Sequence, residues 1–163
     1  MQFLLKTSLF WCCLFLLASC DGIGSKSSIP RMPVNVTIDT RQGEFVHFTP
    51  EALNTFVTVD AKGYHYNGHD IPLPFIGAFG CGGVLVYVNL EKQYKAYDLA
   101  CPYCYTQGVL SSCTVDAPFA TCPHCDEVYE LGLDVAFPTK GIGQESLRGL
   151  PLTYVNGVIT IQQ

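Results

Sequence analysis

The spacing of apolar and polar positions describes a string of short strands. "VNVTI" (34–38) alternates apolar and polar residues, the period of a strand with one covered face. "EFVHF" (44–48) reads as a second strand. Thr49 followed by Pro50, Glu51 and Ala52 has the form of an N-cap with proline at the first helical position, so one helical turn is expected over "PEALN". "FVTVDAKGYHYNGHDIPLP" holds too many turn residues for a helix and predicts a hairpin and a loop. "GVLVYVNL" (83–90) departs from alternation. An unbroken, β-branched apolar run of that length suits a strand buried on both faces. "YKAYDL" (94–99) alternates again and leads directly into Cys101. In "LTYVNGVITIQ", strand residues flank Asn156-Gly157, a dipeptide suited to the two positive φ angles of a type I′ hairpin turn. Long helical periodicity and internal repeats are absent from the sequence, and the expected fold class is all-β.

The first twenty residues break this pattern. Lys6 supplies a positive charge, and residues 8–17 are almost entirely apolar, too short a run to span a bilayer with ease and typical of a signal peptide. Leu17-Ala18-Ser19-Cys20 places small residues before a cysteine, the form of a bacterial lipobox. That motif implies cleavage before Cys20 and attachment of diacylglycerol to its sulfur. Residues 1–19 are therefore expected to be a leader. Residues 20–33, rich in Gly, Ser and Pro, read as a flexible tether, and residues 34–163 as one domain. The expected location is the bacterial cell envelope, with the protein held through an N-terminal lipid on the periplasmic face or in the outer membrane.

Composition narrows the partners. The formal charge is −5, and loss of Lys6 makes it −6. A weakly acidic chain without a basic patch points away from nucleic acid. With 48% hydrophobic and 14% charged residues, a sizeable core can form.

The chemistry concentrates in "CPYCYTQGVLSSCTVDAPFATCPHC" (101–125). Two CP-x-C turns are separated by seventeen residues, which lies within the zinc-ribbon spacing. Such a turn aims two thiolates at one ion, and two turns close a tetrahedron. The expected metal ligands are Cys101, Cys104, Cys122 and Cys125. In an oxidising compartment the same cysteines have other uses: two disulfides, free thiols, or one ligand pair beside an incidental pair.

The flanking residues carry a resemblance. "YKAYDLACPYC", "FATCPHCDEVYEL" and "PTKGIGQESLRGLPLTYVNGVITI" together resemble a Rieske-type iron–sulfur domain over roughly residues 80 to 163. The parallels are Tyr97-Asp98 before the first box, Cys101, Cys122, Val128-Tyr129-Glu130, the loop from Pro138 to Gly141, and the final Asn156-Gly157 hairpin. With the lipobox, the whole chain resembles the Rieske-like lipoproteins of Bacteroidota. The resemblance implies an antiparallel β-sandwich or barrel with a rubredoxin-like metal-binding subdomain at about 97–131. It also implies a 2Fe-2S cluster and one-electron transfer.

This chain departs from the family at the ligands. Tyr103 and Cys125 stand where the two Rieske histidines belong. Cys104 and Cys125 replace them in the expected set, with His124 as a minor alternative to Cys125. Loss of both imidazoles implies a low-potential cluster, since Rieske potentials run from about −150 to +300 mV and plant-type four-cysteine clusters lie near about −400 mV. The competing expectation is a degenerate Rieske fold with a single Zn or Fe, or no metal, in a structural or binding lipoprotein.

Other candidate groups are weaker. Cys81 and Cys113 remain after the ligands and Cys20 are set aside; they either form one disulfide or stay as separate thiols. His47 reads as a strand residue, and His65 and His69 as residues of a surface loop. Asp126 and Glu127 read as a solvated loop edge. The sequence contains no nucleophile–base pairing, no phosphate loop and no room for a mononuclear-iron catalytic domain. An electron carrier or binding protein is expected rather than an independent catalyst, with no catalytic residues and an unidentified redox or protein partner.

Overall fold

The computed structural model describes residues 27–73 and 77–163. The leader, Cys20 and the first part of the expected tether lie outside the described residues. The described chain is all-β, as expected, with every strand pair antiparallel.

Strand β1 (Val34–Asp39) pairs on one side with β14 (Val158–Gln162) and on the other with β5 (Ala78–Phe79). β13 (Leu152–Val155) completes this sheet through the expected hairpin, in which Asn156 and Gly157 have φ of 50° and 78°. A second sheet runs β12 (Arg148–Gly149), β7 (Tyr94–Asp98), β6 (Val84–Val88), β2 (Phe56–Asp60), β3 (Gly63–Tyr66), β4 (His69–Ile71). The region expected to be a hairpin and a loop is thus a three-stranded meander. A small third sheet is formed by β11 (Phe137–Lys140), β10 (Val128–Glu130), β9 (Phe119–Thr121) and β8 (Thr114–Asp116).

Two expectations fail. "EFVHF" forms a 3-10 helix, Gly43–His47, in which the cap N–H of Phe48 donates to Phe45 O instead of entering a ladder. "PEALN" forms consecutive turns rather than a helical turn. Ala52 N–H donates to Thr49 O, and Asn54, at φ 61°, turns away to donate its N–H to Val88 O.

The unbroken apolar run of β6 is explained by what lies on each side. Val84, Val86 and Val88 pack into a core with Val36, Ile38, Phe48, Ile159 and Ile161. Leu85 and Tyr87 point the other way, into a second core that includes Cys101, Cys104, Cys122 and Tyr129. β7 divides likewise, with Tyr94 and Ala96 on the first face and Tyr97 on the second. Side chains alternate across a strand, so these two strands form a wall shared by a framework core and a cysteine-centred lobe.

The expected tether ends earlier than residue 33. Ile29 is 1% exposed, and Ser28 N–H donates to Glu145 Oε2 at 2.6 Å. The Ser28 hydroxyl donates to Pro102 O, and Arg148 donates to Ile29 O. A single isoleucine among Ser and Pro reads as linker, yet burying an Ile side chain is worth about 1.5–3 kcal/mol, enough to hold this short segment down.

Candidate metal centre

The first knuckle begins where β7 ends. Cys101 occupies the N-cap position of helix α1 (Pro102–Thr106), and Pro102 sits in its first turn, where its missing N–H costs nothing. Gln107 and Val109 N–H groups both donate to Cys104 O, and Gly108 at φ 78° reverses the chain. The return segment pairs with the approach: Cys101 N–H donates to Ser111 O, and Cys113 N–H donates to Leu99 O, each at 2.8 Å. The second knuckle is the loop of the β9–β10 hairpin. Cys122 N–H donates to Glu127 O at 2.8 Å, Asp126 N–H donates to Cys122 O at 3.0 Å, and Asp126 adopts φ 59° to close the turn.

The two knuckles meet. The Sγ atoms of Cys101, Cys104, Cys122 and Cys125 all lie within 4.8 Å of one another. The closest pairs cross between knuckles: Cys101–Cys125 at 3.6 Å and Cys104–Cys122 at 3.5 Å. Cys101, Cys104 and Cys122 are buried and Cys125 is half-buried. All four are free thiols, as are Cys81 and Cys113. His124 is exposed and does not belong to the cluster, and Tyr103 flanks it without supplying a nitrogen.

Hydrogen bonds make the four sulfurs unequal. The Cys113 thiol is the largest influence lowering Cys101, with help from Cys104 N–H, the Tyr129 hydroxyl and Cys125; together they bring it to about 4 against the effect of burial. Tyr129 Oη lies 3.4 Å from Cys101 Sγ. Burial pushes Cys104 up and pushes Cys125 up to about 11. Cys113 is raised first by its bond to Cys101 and then by burial. Metal binding would draw protons from the raised thiols Cys104 and Cys125. Cys113, for which a disulfide with Cys81 and a separate thiol were both open, is a free thiol in the same buried core as Cys101, Cys104 and Cys122.

Two buried carboxylates fix the backbone around the knuckles. Asp98 is 1% exposed; its Oδ2 accepts Cys81 N–H at 2.7 Å and its Oδ1 accepts Gly82 and Ala100 N–H at 2.9 Å each. Asp98 thus ties the 81–82 loop to the start of the first knuckle. Glu127 is the counterpart at the second. It is 1% exposed, not part of a solvated loop edge, and its Oε1 accepts the N–H groups of Ile142 and Gly143 at 2.5 and 2.7 Å. Its Oε2 has no partner. Gly141 has φ 119°, and a Cβ there would lie 2.1 Å from Glu127 Oε1, so the loop closes over the carboxylate only with glycine. The pair Gly141 and Gly143 around Ile142 was the available signal in the sequence. Asp126, beside Glu127, is exposed as expected.

The remaining histidines lie elsewhere. His47 ends the 3-10 helix and is exposed. His65 stands between Asp70, 2.6 Å from Nδ1, and Asp60, 3.2 Å from Nε2. His69 is exposed in β4. Comparison with protein-family models, with curated proteins and with solved structures finds no match to this chain.

Proposed function

We propose that the chain is a lipid-anchored metalloprotein in which Cys101, Cys104, Cys122 and Cys125 hold one tetrahedral metal ion, Zn²⁺ in the first instance, on a Rieske-like β framework. The observation that carries this reading is the compactness of the sulfur cluster. Four thiolates around one ion at about 2.3 Å form a tetrahedron with edges of about 3.8 Å. The closest observed separations, 3.5 and 3.6 Å, and the 4.8 Å limit fit that figure. A 2Fe-2S cluster is two tetrahedra sharing an edge, which sets its outer thiolate pairs about 5.3 Å apart or more at the same bond length. The sulfur separations support the single ion, expected as the alternative, over the cluster.

Four thiolates fill the coordination of such an ion, the condition of a structural site rather than a catalytic one. The ion would bond directly two turns that side-chain packing and the Cys101–Tyr129 and Cys122–Ser111 contacts already hold together. One observation favours iron in the same position: Cys125 is only half-buried, so one ligand sulfur approaches the surface, as passage of an electron to a partner requires. Metal analysis and the visible spectrum of protein matured in its own compartment separate these readings. One zinc per chain and a colourless protein supports the structural role. One iron per chain with a thiolate charge-transfer band supports electron transfer through a mononuclear centre. Two irons with inorganic sulfide would overturn the single-ion reading.

A further inference from the structure

The described chain enters the fold at the metal lobe rather than at the framework. Ser28 is bonded to Pro102 in the first knuckle and to Glu145 in the loop that follows Glu127's partner residues. Cys20 precedes Ser28 by eight residues, so at full extension the two stand no more than about 29 Å apart. A lipid on Cys20 therefore holds the knuckles close to the bilayer.

The same end of the molecule carries uncovered apolar side chains. Ile142 is 74% exposed, the highest value among the large hydrophobic residues described. It stands next to Gly143, where an added Cβ would lie 3.2 Å from that of Tyr103 in the first knuckle. Leu110, 62% exposed, and Tyr105, 37% exposed, belong to α1 and the turn after it. The backbone N–H of Ile142 is pinned by Glu127, so its side chain is presented by a fixed loop. Lys140 and Glu145, of opposite charge, are the charged residues nearest Ile142 in sequence.

From the anchor position and this exposed set we infer that the metal lobe rests on the lipid surface, with Ile142, Leu110 and Tyr105 in the interfacial layer. The inference rests on the lipid-anchor reading of Cys20. The tether length is the argument for lipid over a protein partner: the anchored lobe spends all its time within reach of the bilayer, which greatly raises the effective concentration of that surface. The chain's negative charge assigns the contact to apolar burial rather than to anionic headgroups, so zwitterionic lipid suffices.

The test uses the full chain, matured with its lipid and reconstituted in phosphatidylcholine vesicles with brominated acyl chains. Trp11 is the only tryptophan and lies in the leader, so the mature protein offers a blank background. Three variants are compared: Ile142→Trp, Leu110→Trp, and Val155→Trp. Val155 is 62% exposed beside the hairpin turn, at the Asp39 end of β1, whereas Val34 at the other end lies against Gly80 beside Asp98. Bromine-dependent loss of fluorescence in the first two variants but not the third is the expected result. Equal emission from all three, with the protein floating with the vesicles and Cys20 lipid-modified by mass, overturns the docking and leaves the anchor standing. Protein that neither floats nor carries lipid overturns both. A blue shift of Ile142→Trp that depends on protein concentration and not on lipid assigns the patch to a second copy and overturns the inference.

Discussion

Asp98 and Glu127 carry the same charge and the same burial, yet their neutral isosteres should differ sharply in cost. Asp98 uses both oxygens, three backbone N–H groups in all. In Asp98→Asn one oxygen becomes an amino group. If the amide oxygen keeps Gly82 and Ala100, the new donor faces Cys81 N–H, another donor. A hydrogen bond to a charged group is worth about 1.5–3 kcal/mol, one between neutral groups about 0.5–1.5, and a stranded buried donor costs about 1–3. Two weakened bonds and one lost bond with its stranded partner total about 4 kcal/mol, after allowance for the relief of burying a neutral side chain. Glu127 uses only Oε1. In Glu127→Gln the amide oxygen keeps both donors, and the amino group replaces an oxygen that had no partner. That cost is about 1–2 kcal/mol, two weakened bonds and nothing more. The assay is urea unfolding of the metal-loaded proteins at one fixed free-metal concentration, read as a change in midpoint at constant slope. Equal losses, or a larger loss for Glu127→Gln, would refute the assignment of one-oxygen and two-oxygen roles.

Gly141→Ala should be worse than either isostere in the second knuckle, because its Cβ would occupy the space of the Glu127 carboxylate and φ 119° disfavours any side chain; a midpoint within about 0.5 kcal/mol of wild type, the range of ordinary surface substitutions, would contradict that. Cys113→Ala should keep one metal per chain, because Cys113 shares the buried core without belonging to the four-sulfur set; a halved metal content would make Cys113 a ligand. Non-reducing peptide mapping should find Cys81 and Cys113 as free thiols, and a linked peptide would require a different packing at the first knuckle. His65 is raised by its bond to Asp70, aided by Asp60. A raised folded value means stability present in full below the unfolded value of about 6.5 and lost as pH rises through the folded one. His65→Gln should remove that dependence from the unfolding midpoint, and an unchanged pH profile would show the pairing to be without weight.

Legibility followed the range of the physics. Asn156-Gly157 and the β6 run were readable because their signals are local: a turn needing positive φ, and a strand with no polar face to offer water. The knuckles were readable because metal ligation demands fixed spacing. Glu127 was not, because its role depends on backbone donors fifteen residues away at Ile142, and an Asp-Glu pair after a polar turn looks like solvent-facing sequence. Phe45 to His47 misled for a similar reason. Alternation states which face is apolar, but a strand also needs a partner to pair with, and this segment closes i to i+3 bonds on itself instead. The identity of the cofactor was not legible, because one four-cysteine spacing serves zinc, iron and iron–sulfur clusters alike.

Arg148 of β12 lies opposite Asp98 of β7. Everything from residue 99 to 147, both knuckles and the small sheet included, therefore leaves the framework and returns to it at neighbouring points. Topologically the lobe is a detachable excursion, and a tight turn could bridge its base without rerouting any other strand. In terms of covered surface it is not detachable, because Leu85, Tyr87 and Tyr97 would lose the face they pack against. Damage to the cysteine cluster would thus reach the framework as a wall stripped of its covering, not as a tug along the chain. A lineage could exchange the metal, or the ligands, while keeping the same apolar lid in place.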